Sequence, residues 1–428
     1  MQFSSLGIRP GLERTSRLLS LLGSPQRRFR AIHVLGTNGK GSTAATMEAI
    51  LKCAGARTAL YTSPHLVSLQ ERLRIDGEFL PIERWNAAFD AMKSAVEGDE
   101  TLGHSRPTFF ENLTAMAFSM IADAGVDVAL IEAGMGGRYD ATSTCDAVAT
   151  VVTPIGMDHM EYLGPTLEAI ASEKIAAVRD GVPAFYAADD ETLCAQFLET
   201  CGRAGATPFL LDRIARPRDV RCDLDGTFFS LRDMRDLHTP LVGIHQAENA
   251  ARAILVLETL FSRGLLPAGI TINEPTIRSG LARTSWPGRF ERFRCGDGLS
   301  DFVIDGAHNE HGMHALCATL RAIGAADGAS PVDAVVFAVM KDKDVAPVVA
   351  QLKALDCPLY CTEAPNPRAM PHGELANLAS SLGVAVAGSY KDPFDALDAA
   401  RRASNPARLV LCCGSLFLAG CIRERYSQ

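Results

Sequence analysis

The sequence lacks several features that would place it in a membrane, outside the cell or on nucleic acid. No apolar run approaches the roughly 18 residues that a membrane-spanning helix needs. The run Leu18–Leu22 is too short for the core of a secretion signal. The formal net charge is −8 and no long basic run is present, which does not favour a nucleic-acid-binding surface. We therefore expect a cytoplasmic protein that binds neither membranes nor nucleic acid.

The 12 cysteines also lack a metal-binding pattern. Cys412 and Cys413 are adjacent, and Cys357 and Cys361 are separated by three residues, without a second pair or a nearby histidine at ligand spacing. We expect reduced, buried thiols of the kind found in cytosolic proteins. The sequence contains no repeat of solenoid length and no low-complexity segment.

At 428 residues the chain is too long for one ordinary core, so two or three domains are expected. Short β-rich runs alternate with longer helical runs, which predicts an α/β fold with a mostly parallel sheet. In the first part of the chain, strands are predicted at Ala31–Leu35, Asp127–Glu132 and Asp146–Pro154, and helices at Ser42–Cys53, from about Asn112 and at Thr166–Val178.

The pattern changes in the middle of the chain. Alternating residues in Val220–Leu231, with Asp225-Gly226, predict a β-hairpin, and the helix Ala247–Phe261 follows. The stretch Trp286–Arg289 (WPGR) is typical of a hinge. Further strands are predicted at Asp301–Asp305, Ala334–Met340, Leu359–Glu363 and Leu409–Cys413. We place a domain boundary near residue 285, giving domains 1–285 and 286–428.

Residues 36–43, Gly-Thr-Asn-Gly-Lys-Gly-Ser-Thr, lie between a predicted strand and a predicted helix, which is the setting of a phosphate-binding loop. Glycines let backbone N–H groups surround phosphate oxygens, the helix start adds a partial positive charge, and Lys40 can reach the terminal phosphates. The common P-loop spacing is not met, because position 34 is Val and Gly41 separates Lys40 from Ser42. The alternative is an ordinary glycine-rich turn.

This loop resembles that of the Mur ligase superfamily, in its folylpolyglutamate/dihydrofolate synthase branch. Further sequence blocks of that branch follow in the same order over nearly the whole chain, and the ordered set is far more specific than any one block. They are YTSPHL (61–66), ERLRIDG (71–77), TFFE (108–111), IEAGMGGRYDAT (131–142), MDHMEYLG (157–164), SEK (172–174), HQAENA (245–250), WPGRFE (286–291), DGAHN (305–309), MKDKD (340–344) and GSLFLAG (414–420).

The resemblance implies both a fold and an activity. The fold would be a P-loop central domain with a mostly parallel sheet and a folate site, followed by a smaller Rossmann-like α/β domain. The activity would be ATP-dependent ligation of glutamate to tetrahydrofolate, and also to dihydropteroate, through an acyl phosphate. Carboxylate and phosphates are all anionic, so Mg²⁺ is needed to bring them together. A monomer is expected from the same resemblance.

Specific residues are implied by their places in these blocks, and several have a simpler alternative. Lys40, Asn38, Gly39, Gly41, Ser42, Thr43, Asn249, Arg289 and Asp305 would bind ATP, and Ser63, Glu132 and His159 would bind the metal. Glu132 could instead be a surface acid or helix cap, His159 a structural histidine, and Ser63 a turn residue. Without the other blocks, Arg289 could equally be a surface residue that forms a salt bridge.

The remaining implied residues serve the other substrates. His308, Ser415 and Arg72 would lie near glutamate, although Ser415 could also be a helix N-cap. The resemblance further implies that Lys40, Lys174 and His308 are the catalytic residues. Gly11, Leu12 and Thr108 would contact the pteroate or folate. Family members often have Asp-Leu-Gly-Leu where this chain has Arg9-Pro10-Gly11-Leu12, and that departure affects the pteroate contacts.

Lys174 is implied to be carbamylated, which converts its amine into an anionic group. Carbamylation needs a neutral amine, so burial or nearby positive charge must lower the lysine pKa. The alternative is a solvated helix lysine.

Other activities are less consistent with the blocks. Muramyl ligases of the same superfamily carry a UDP-binding domain of about a hundred residues before the P-loop, and Lys40 lies near the N-terminus here. A non-catalytic nucleotide-binding protein would be signalled by loss of Lys40, Glu132, His159 or Lys174, and all four are present. A monofunctional enzyme remains an alternative to a bifunctional one.

Overall fold

The computed structural model describes residues 7, 9–187, 190–325, 328, 330–341 and 343–427. They form two compact units. The first takes in the described residues up to Pro217, together with Leu231–Met234 and Asn249–Thr284. The second takes in Arg218–Ser230, Arg235–Glu248 and the described residues from Ser285 onward. The second unit thus includes residues before position 285 as well as after it, while the domain boundary near 285 stays a prediction.

The first unit is built on an eight-stranded sheet in the order β4-β3-β2-β5-β1-β6-β7-β8. Strands β2, β5, β1, β6, β7 and β8 pair in parallel, and β3 and β4 add an antiparallel edge. The strands are β1 (Ala31–Leu35), β2 (Thr58–Tyr61), β3 (Leu73–Ile75), β4 (Glu78–Phe79), β5 (Val128–Glu132), β6 (Ala147–Val152), β7 (Ala184–Tyr186) and β8 (Pro208–Leu210).

Helices connect these strands. They are α1 (Glu13–Leu21), α2 (Lys40–Cys53), α3 (Ile82–Glu97), α4 (Glu100–His104), α5 (Phe109–Ala124), α6 (Met160–Leu163), α7 (Leu167–Ile175), α8 (Glu191–Arg203) and α9 (Leu211–Ile214). Short 3-10 helices lie at Pro25–Arg27, Leu69–Arg72 and Ala141–Thr144. Every residue of β1 and β5 is buried, as expected for central strands of a parallel sheet covered on both faces.

Residues 218–239 form a small three-stranded sheet in the order β11-β10-β9. Its strands are β9 (Arg218–Asp223), β10 (Gly226–Leu231) and β11 (Met234–Thr239), and the helix α10 (Ile244–Ser262) follows. The predicted hairpin is present as the antiparallel pair of β9 and β10. Its turn lies at Leu224-Asp225, one residue before the predicted Asp225-Gly226, because Gly226 already pairs with Asp223. The third strand, β11, was not expected from the sequence. Next along the chain is α11 (Glu274–Ala282), which belongs to the first unit.

The second unit contains a six-stranded sheet in the order β12-β13-β17-β14-β15-β16, parallel except at the β12 edge. The strands are β12 (Glu291–Phe293), β13 (Phe302–Ile304), β14 (Val332–Phe337), β15 (Leu359–Cys361), β16 (Val386–Ser389) and β17 (Leu409–Cys413). The helices are α12 (Glu310–Gly324), α13 (Val345–Lys353), α14 (His372–Ser381), α15 (Pro393–Ala403) and α16 (Leu416–Tyr426).

The predicted fold class is confirmed: a large, mostly parallel sheet is accompanied by a separate C-terminal α/β sheet. The predicted strand Ala334–Met340 is shifted, because β14 begins at Val332 and ends at Phe337. Val339 and Met340 are buried beyond its end, and Met340 forms an isolated antiparallel bridge with Ala369 instead of extending β14. Asp342 of the predicted MKDKD block lies outside the described residues.

Two further observations concern the surface and the thiols. Among the described residues, no helix combines the length and apolar character that crossing a membrane requires. The twelve cysteines are free thiols, and seven of them are buried: Cys145, Cys194, Cys201, Cys317, Cys361, Cys412 and Cys413.

The packing of α11 on α2 predicts the effect of one small substitution. Gly280 is buried in α11, and a Cβ placed there would overlap the Ile50 backbone, 2.7 Å from its amide nitrogen. We expect Gly280→Ala to destabilise the protein by about 1–3 kcal/mol through overpacking, despite the better helix propensity of alanine. Urea denaturation followed by circular dichroism measures the change.

Gly202→Ala is the matched control, since Gly202 lies in α8 and an added Cβ there meets open space. It should be neutral or stabilising by up to about 1 kcal/mol. Equal unfolding midpoints for the two variants would show that α11 does not pack on α2 as closely as described.

Candidate functional site

The glycine-rich loop follows β1 and ends where α2 begins at Lys40. Gly36 (φ 133°) and Gly39 (φ 84°) both have backbone angles that favour glycine, and Gly39 is the residue at the helix N-cap. The loop is fastened to the segment after β6, because the Thr37 amide donates to the Pro154 carbonyl (3.0 Å). The Thr37 hydroxyl also bonds the backbone of Gly156 in both directions (3.0 and 3.1 Å). The strand–loop–helix setting expected of a phosphate loop is therefore present.

Two lysine side chains meet at this loop. Lys40 Nζ donates to the carbonyls of Gly36 (3.2 Å) and Thr37 (3.1 Å), and Lys174 Nζ donates to the same Gly36 carbonyl (2.8 Å). The Lys174 side chain is only 3% exposed, so the alternative of a solvated helix lysine is wrong. Burial, and then the positive charge of Lys40, lower the pKa of Lys174 to about 7.

The position of Lys174 depends on a close approach between α7 and the glycine-rich turn after β5. A Cβ on Gly137 would lie 2.5 Å from the Lys174 carbonyl oxygen and 2.9 Å from that of Glu173. The Arg138 amide donates to the Glu173 carbonyl (2.9 Å), and its guanidinium pairs with the Glu173 carboxylate (2.9 Å). Gly137 and Arg138 thus fix the position of the end of α7 that carries Lys174.

Glu132 ends β5 beside the strand that leads into the loop, in register with Val34. It is only 5% exposed, so it is not a surface acid, and its Oε2 accepts the Ser63 amide (3.1 Å). The parallel pairing of β2 with β5 brings Ser63 to this edge of the sheet. One buried carboxylate and one hydroxyl are oxygen donors of the type that Mg²⁺ takes, with water and phosphate completing its coordination.

His159 is exposed to solvent, unlike Glu132 and Ser63. It has a left-handed backbone (φ 52°) at the start of α6, and its Nε2 lies 3.9 Å from the Asp158 carboxylate. Among the described residues, no group of three or more His, Cys, Asp and Glu side chains forms a preassembled metal cage. The assignment of His159 to the metal stays a prediction.

Asn249 belongs to the same unit as the loop and lies against it. It is buried in α10, and a Cβ on Gly39 would be 2.6 Å from its side-chain oxygen. This places the Asn249 amide beside the residue that caps α2.

In the second unit, the WPGRFE and DGAHN segments are joined by the Asp305 carboxylate. It accepts the amides of Phe290 and Ala307, each at 2.8 Å, and burial raises its pKa. The half-buried Arg289 guanidinium lies against Gly306 and donates to the Gly288 carbonyl (3.2 Å), and its charge opposes the rise in the Asp305 pKa. His308 Nδ1 bonds the Gly306 carbonyl (2.7 Å), which completes the turn.

Ser415 is the N-cap of α16. Its hydroxyl accepts the Phe417 amide (3.1 Å), and the residue is only 2% exposed. The alternative reading of Ser415 as a helix cap therefore holds, and the cap satisfies one of the first backbone N–H groups of α16.

The residues implied for the folate site, and Arg72 of the glutamate set, belong to the first unit. Thr108 caps α5 in a capping box with Glu111, and Gly11 and Leu12 immediately precede α1. Arg72 is buried, donates to His65 Nδ1 (2.9 Å) and lies over the Phe109 ring, 5.6 Å from its centre. Burial lowers the pKa of Arg72, although Tyr61 and then Glu132 act in the opposite direction.

Sequence reasoning assigned no role to Asp140, which organises the glycine-rich turn after β5. Its buried carboxylate accepts the amides of Met135 (2.8 Å) and Thr142 (3.0 Å) and the Thr142 hydroxyl, and burial raises its pKa. The Thr142 hydroxyl also contacts His33 Nε2 (2.9 Å) on β1. The pattern Asp-Ala-Thr is a signal for such a side-chain-to-backbone turn, and it could have identified Asp140.

Comparisons with known proteins agree with this geometry. The Mur ligase middle domain model matches residues 34–257, and the Mur ligase glutamate ligase domain model matches residues 288–416. The dihydrofolate synthase/folylpolyglutamate synthase of Bacillus subtilis is 33% identical over 436 residues, covering 98% of this chain and 95% of that protein.

Solved structures give the same result. The Mycobacterium tuberculosis folylpolyglutamate synthase complexed with ADP superposes with a TM-score of 0.88 at 32% identity, covering 99% of this chain and 96% of that one. The Escherichia coli FolC in complex with DHPP and ADP superposes with a TM-score of 0.85 at 30% identity, covering 100% and 95%. The chain therefore belongs to the folylpolyglutamate synthase/dihydrofolate synthase family of Mur ligases.

Proposed function

We propose that this protein joins L-glutamate to folate-type acids at the expense of ATP. It would extend tetrahydrofolate with glutamate residues and would also convert dihydropteroate into dihydrofolate. The observation that carries the proposal is the loop of residues 36–43, where two lysine amines share the Gly36 carbonyl at the carboxyl edge of a parallel sheet. The buried carboxylate of Glu132 ends the neighbouring strand β5, in register with Val34. The relatives' names and the nucleotide in their structures support it.

The reaction has two steps. A carboxylate oxygen of the folate-type acid attacks the γ-phosphorus of ATP, the bond from that phosphorus to ADP breaks, and an acyl phosphate forms. The amine of glutamate then attacks the acyl carbon, phosphate leaves, and the nitrogen loses a proton to give the amide. Residues Asn38, Gly39, Gly41, Ser42 and Thr43 would present the loop and the helix start to the phosphates, and Lys40 would neutralise their charge.

Ser63 and Glu132 would hold Mg²⁺, together with His159. When bound, this ion would neutralise the charge of the phosphates and of the acid's carboxylate. The Ser63 amide donates a hydrogen bond to Glu132 Oε2 and so fixes the orientation of the carboxylate. Glu132 Oε1 would then be the oxygen offered to Mg²⁺.

The other assignments follow the substrates. Asn249, Arg289 and Asp305 would bind the nucleotide; His308, Arg72 and Ser415 would serve glutamate; Gly11, Leu12 and Thr108 would contact the pteroate or folate. Their support is local: Asp305 and His308 hold the turn that follows Arg289, and Thr108 and Ser415 are helix N-caps. A second candidate is a monofunctional enzyme, favoured by Arg9 and Pro10 where related proteins often have Asp and Leu.

Lys174 would act as a carbamate. Its pKa of about 7 leaves a large neutral fraction at and above neutral pH, which is the form that reacts with CO₂. A charged lysine would add a second cation beside Lys40, whereas the carbamate would be an anion able to balance it.

Replacing Lys40 tests the proposed function. Lys40→Ala should lower glutamate-dependent ADP release by about 10²–10³-fold, as for the loss of one preorganised charge-stabilising donor, with the fold unchanged. Dihydropteroate and tetrahydrofolate are offered separately, so the same assay distinguishes a bifunctional from a monofunctional enzyme.

Lys52→Ala is the matched control, because Lys52 lies in the last turn of the same helix, where it donates to the Asp76 carbonyl (2.5 Å). It should retain wild-type turnover. Near-normal ligation by a folded Lys40→Ala protein would contradict the assignment of the phosphate loop.

Lys174→Ala separates the carbamate from a cationic role. Turnover should fall, and short carboxylic acids such as formate or acetate should restore part of it by supplying the missing anion. Small amines should restore nothing. Unimpaired turnover of Lys174→Ala would remove the role of this lysine, and rescue by amines instead of acids would show that the group acts as a cation.

A further inference from the structure

The first turns of α1 and α5 are joined by an enclosed ion pair between Arg14 and Glu111. Arg14 Nη2 donates to Glu111 Oε1 (2.8 Å) and Arg14 Nε donates to Glu111 Oε2 (3.2 Å), so the guanidinium binds both carboxylate oxygens. The two side chains are 11% and 7% exposed, which is far from the open solvent that weakens surface pairs. A two-point contact of this kind fixes direction as well as distance.

The same carboxylate also sets the start of α5. Glu111 Oε2 accepts the Thr108 amide (2.6 Å), and the Thr108 hydroxyl accepts the Glu111 amide (3.3 Å). This is the capping-box arrangement, in which a glutamate three residues into the helix bonds back to the N-cap. Glu111 therefore holds Thr108 and Arg14 at once, and moving the guanidinium must disturb the backbone at Thr108.

Arg14 reaches back to the preceding segment as well. Its Nη2 donates to the Arg9 carbonyl (2.6 Å), while the Arg9 guanidinium extends to Ser105 Oγ (3.3 Å) and the Arg106 carbonyl (3.4 Å). These hydrogen bonds connect residues 9–12 with residues 105–108, and Arg14 contacts both the Arg9 carbonyl and Glu111. These are the two segments to which the proposed function assigns the pteroate or folate.

A second arginine of α1 makes a similar contact without reaching these segments. Arg17 donates to Asp99 Oδ2 through Nε (3.0 Å) and Nη2 (2.6 Å), and Asp99 is the N-cap of α4. The Arg17 side chain is 51% exposed. The helix α1 therefore carries two arginines that each bind a capping acid, and only Arg14 also contacts residues 9–12.

We infer that Arg14 is a positioning residue for the folate-type acid: through Glu111 and the Arg9 carbonyl it sets the separation between residues 9–12 and Thr108, and so determines how tightly that acid binds. Arg14 acts through these groups and need not touch the substrate. The inference rests on the proposed function, because it presupposes that a folate-type acid occupies this region.

The test compares Arg14→Met with Arg17→Met. In Arg14→Met the KM for tetrahydrofolate should rise about ten- to a hundredfold, the range expected when binding groups are misplaced by up to an ångström. The KM values for ATP and glutamate and the value of kcat should change less than about twofold, because Arg14 makes none of the described contacts of the phosphate loop. Arg17→Met should lower the melting temperature and leave all three KM values unchanged.

Two further variants exclude a general loss of structure. Arg14→Lys keeps the charge but not the two-point contact, so its KM should lie between wild type and Arg14→Met. Glu111→Gln keeps the capping box and loses the ion pair, so it should reproduce much of the Arg14→Met effect. The double variant should be less impaired than the product of the two single effects, as for residues that act as a pair.

The outcomes separate the inference from the proposed function. If the wild-type protein ligates glutamate to no folate-type acid, the proposed function fails before any variant is measured, and the inference fails with it. If the wild type is active but folded Arg14→Met retains the wild-type KM for tetrahydrofolate, only the inference is wrong. If every variant that breaks the pair fails to fold, Arg14 is a stability element and the positioning role is also wrong.

Discussion

The carbonyl oxygen of Gly36 accepts hydrogen bonds from two lysine side chains, and these two lysines come from separate parts of the first unit. Lys40 comes from the helix that starts at the loop, whereas Lys174 comes from the end of α7, more than a hundred residues later. Bringing a second amine into a buried position beside the first is electrostatically unfavourable, and the lowered pKa of Lys174 is the result. The site therefore depends on α7 being held against the sheet by contacts that do not involve charge on Lys174.

Those contacts come from the glycine-rich turn after β5 and combine backbone groups with side chains that bind the backbone. Gly137 lacks the Cβ that would strike the end of α7, Arg138 bonds the backbone and side chain of Glu173, and Asp140 closes the turn from within. A backbone scaffold suits this purpose because peptide groups move little and carry no net charge. The side chains directed at substrates can then be few, since their positions are fixed by hydrogen bonds behind them.

The sequence predicted those elements whose pattern is local. Strand β1, the loop of residues 36–43 and the capping role of Ser415 follow from burial runs, glycine spacing and a serine before an apolar helix. Strands β3, β4 and β16 were not predicted, because each spans only two to four residues, too few for an alternating pattern to be recognised. The burial of Lys174 and the pairing of Arg14 with Glu111 depend on contacts between distant segments, which periodicity cannot reveal.

The enclosed position of α2 affects how relatives of this protein can be compared. From Gly41 to Glu48 every residue of this helix is buried, including the small residues Ala44, Ala45 and Thr46, and α11 packs on it at Gly280. Larger side chains would be excluded along this stretch whether or not a nucleotide were bound. Invariance along α2 across relatives would therefore record steric constraint as much as chemistry, and a member that had lost its activity could keep the helix unchanged for as long as it kept its fold.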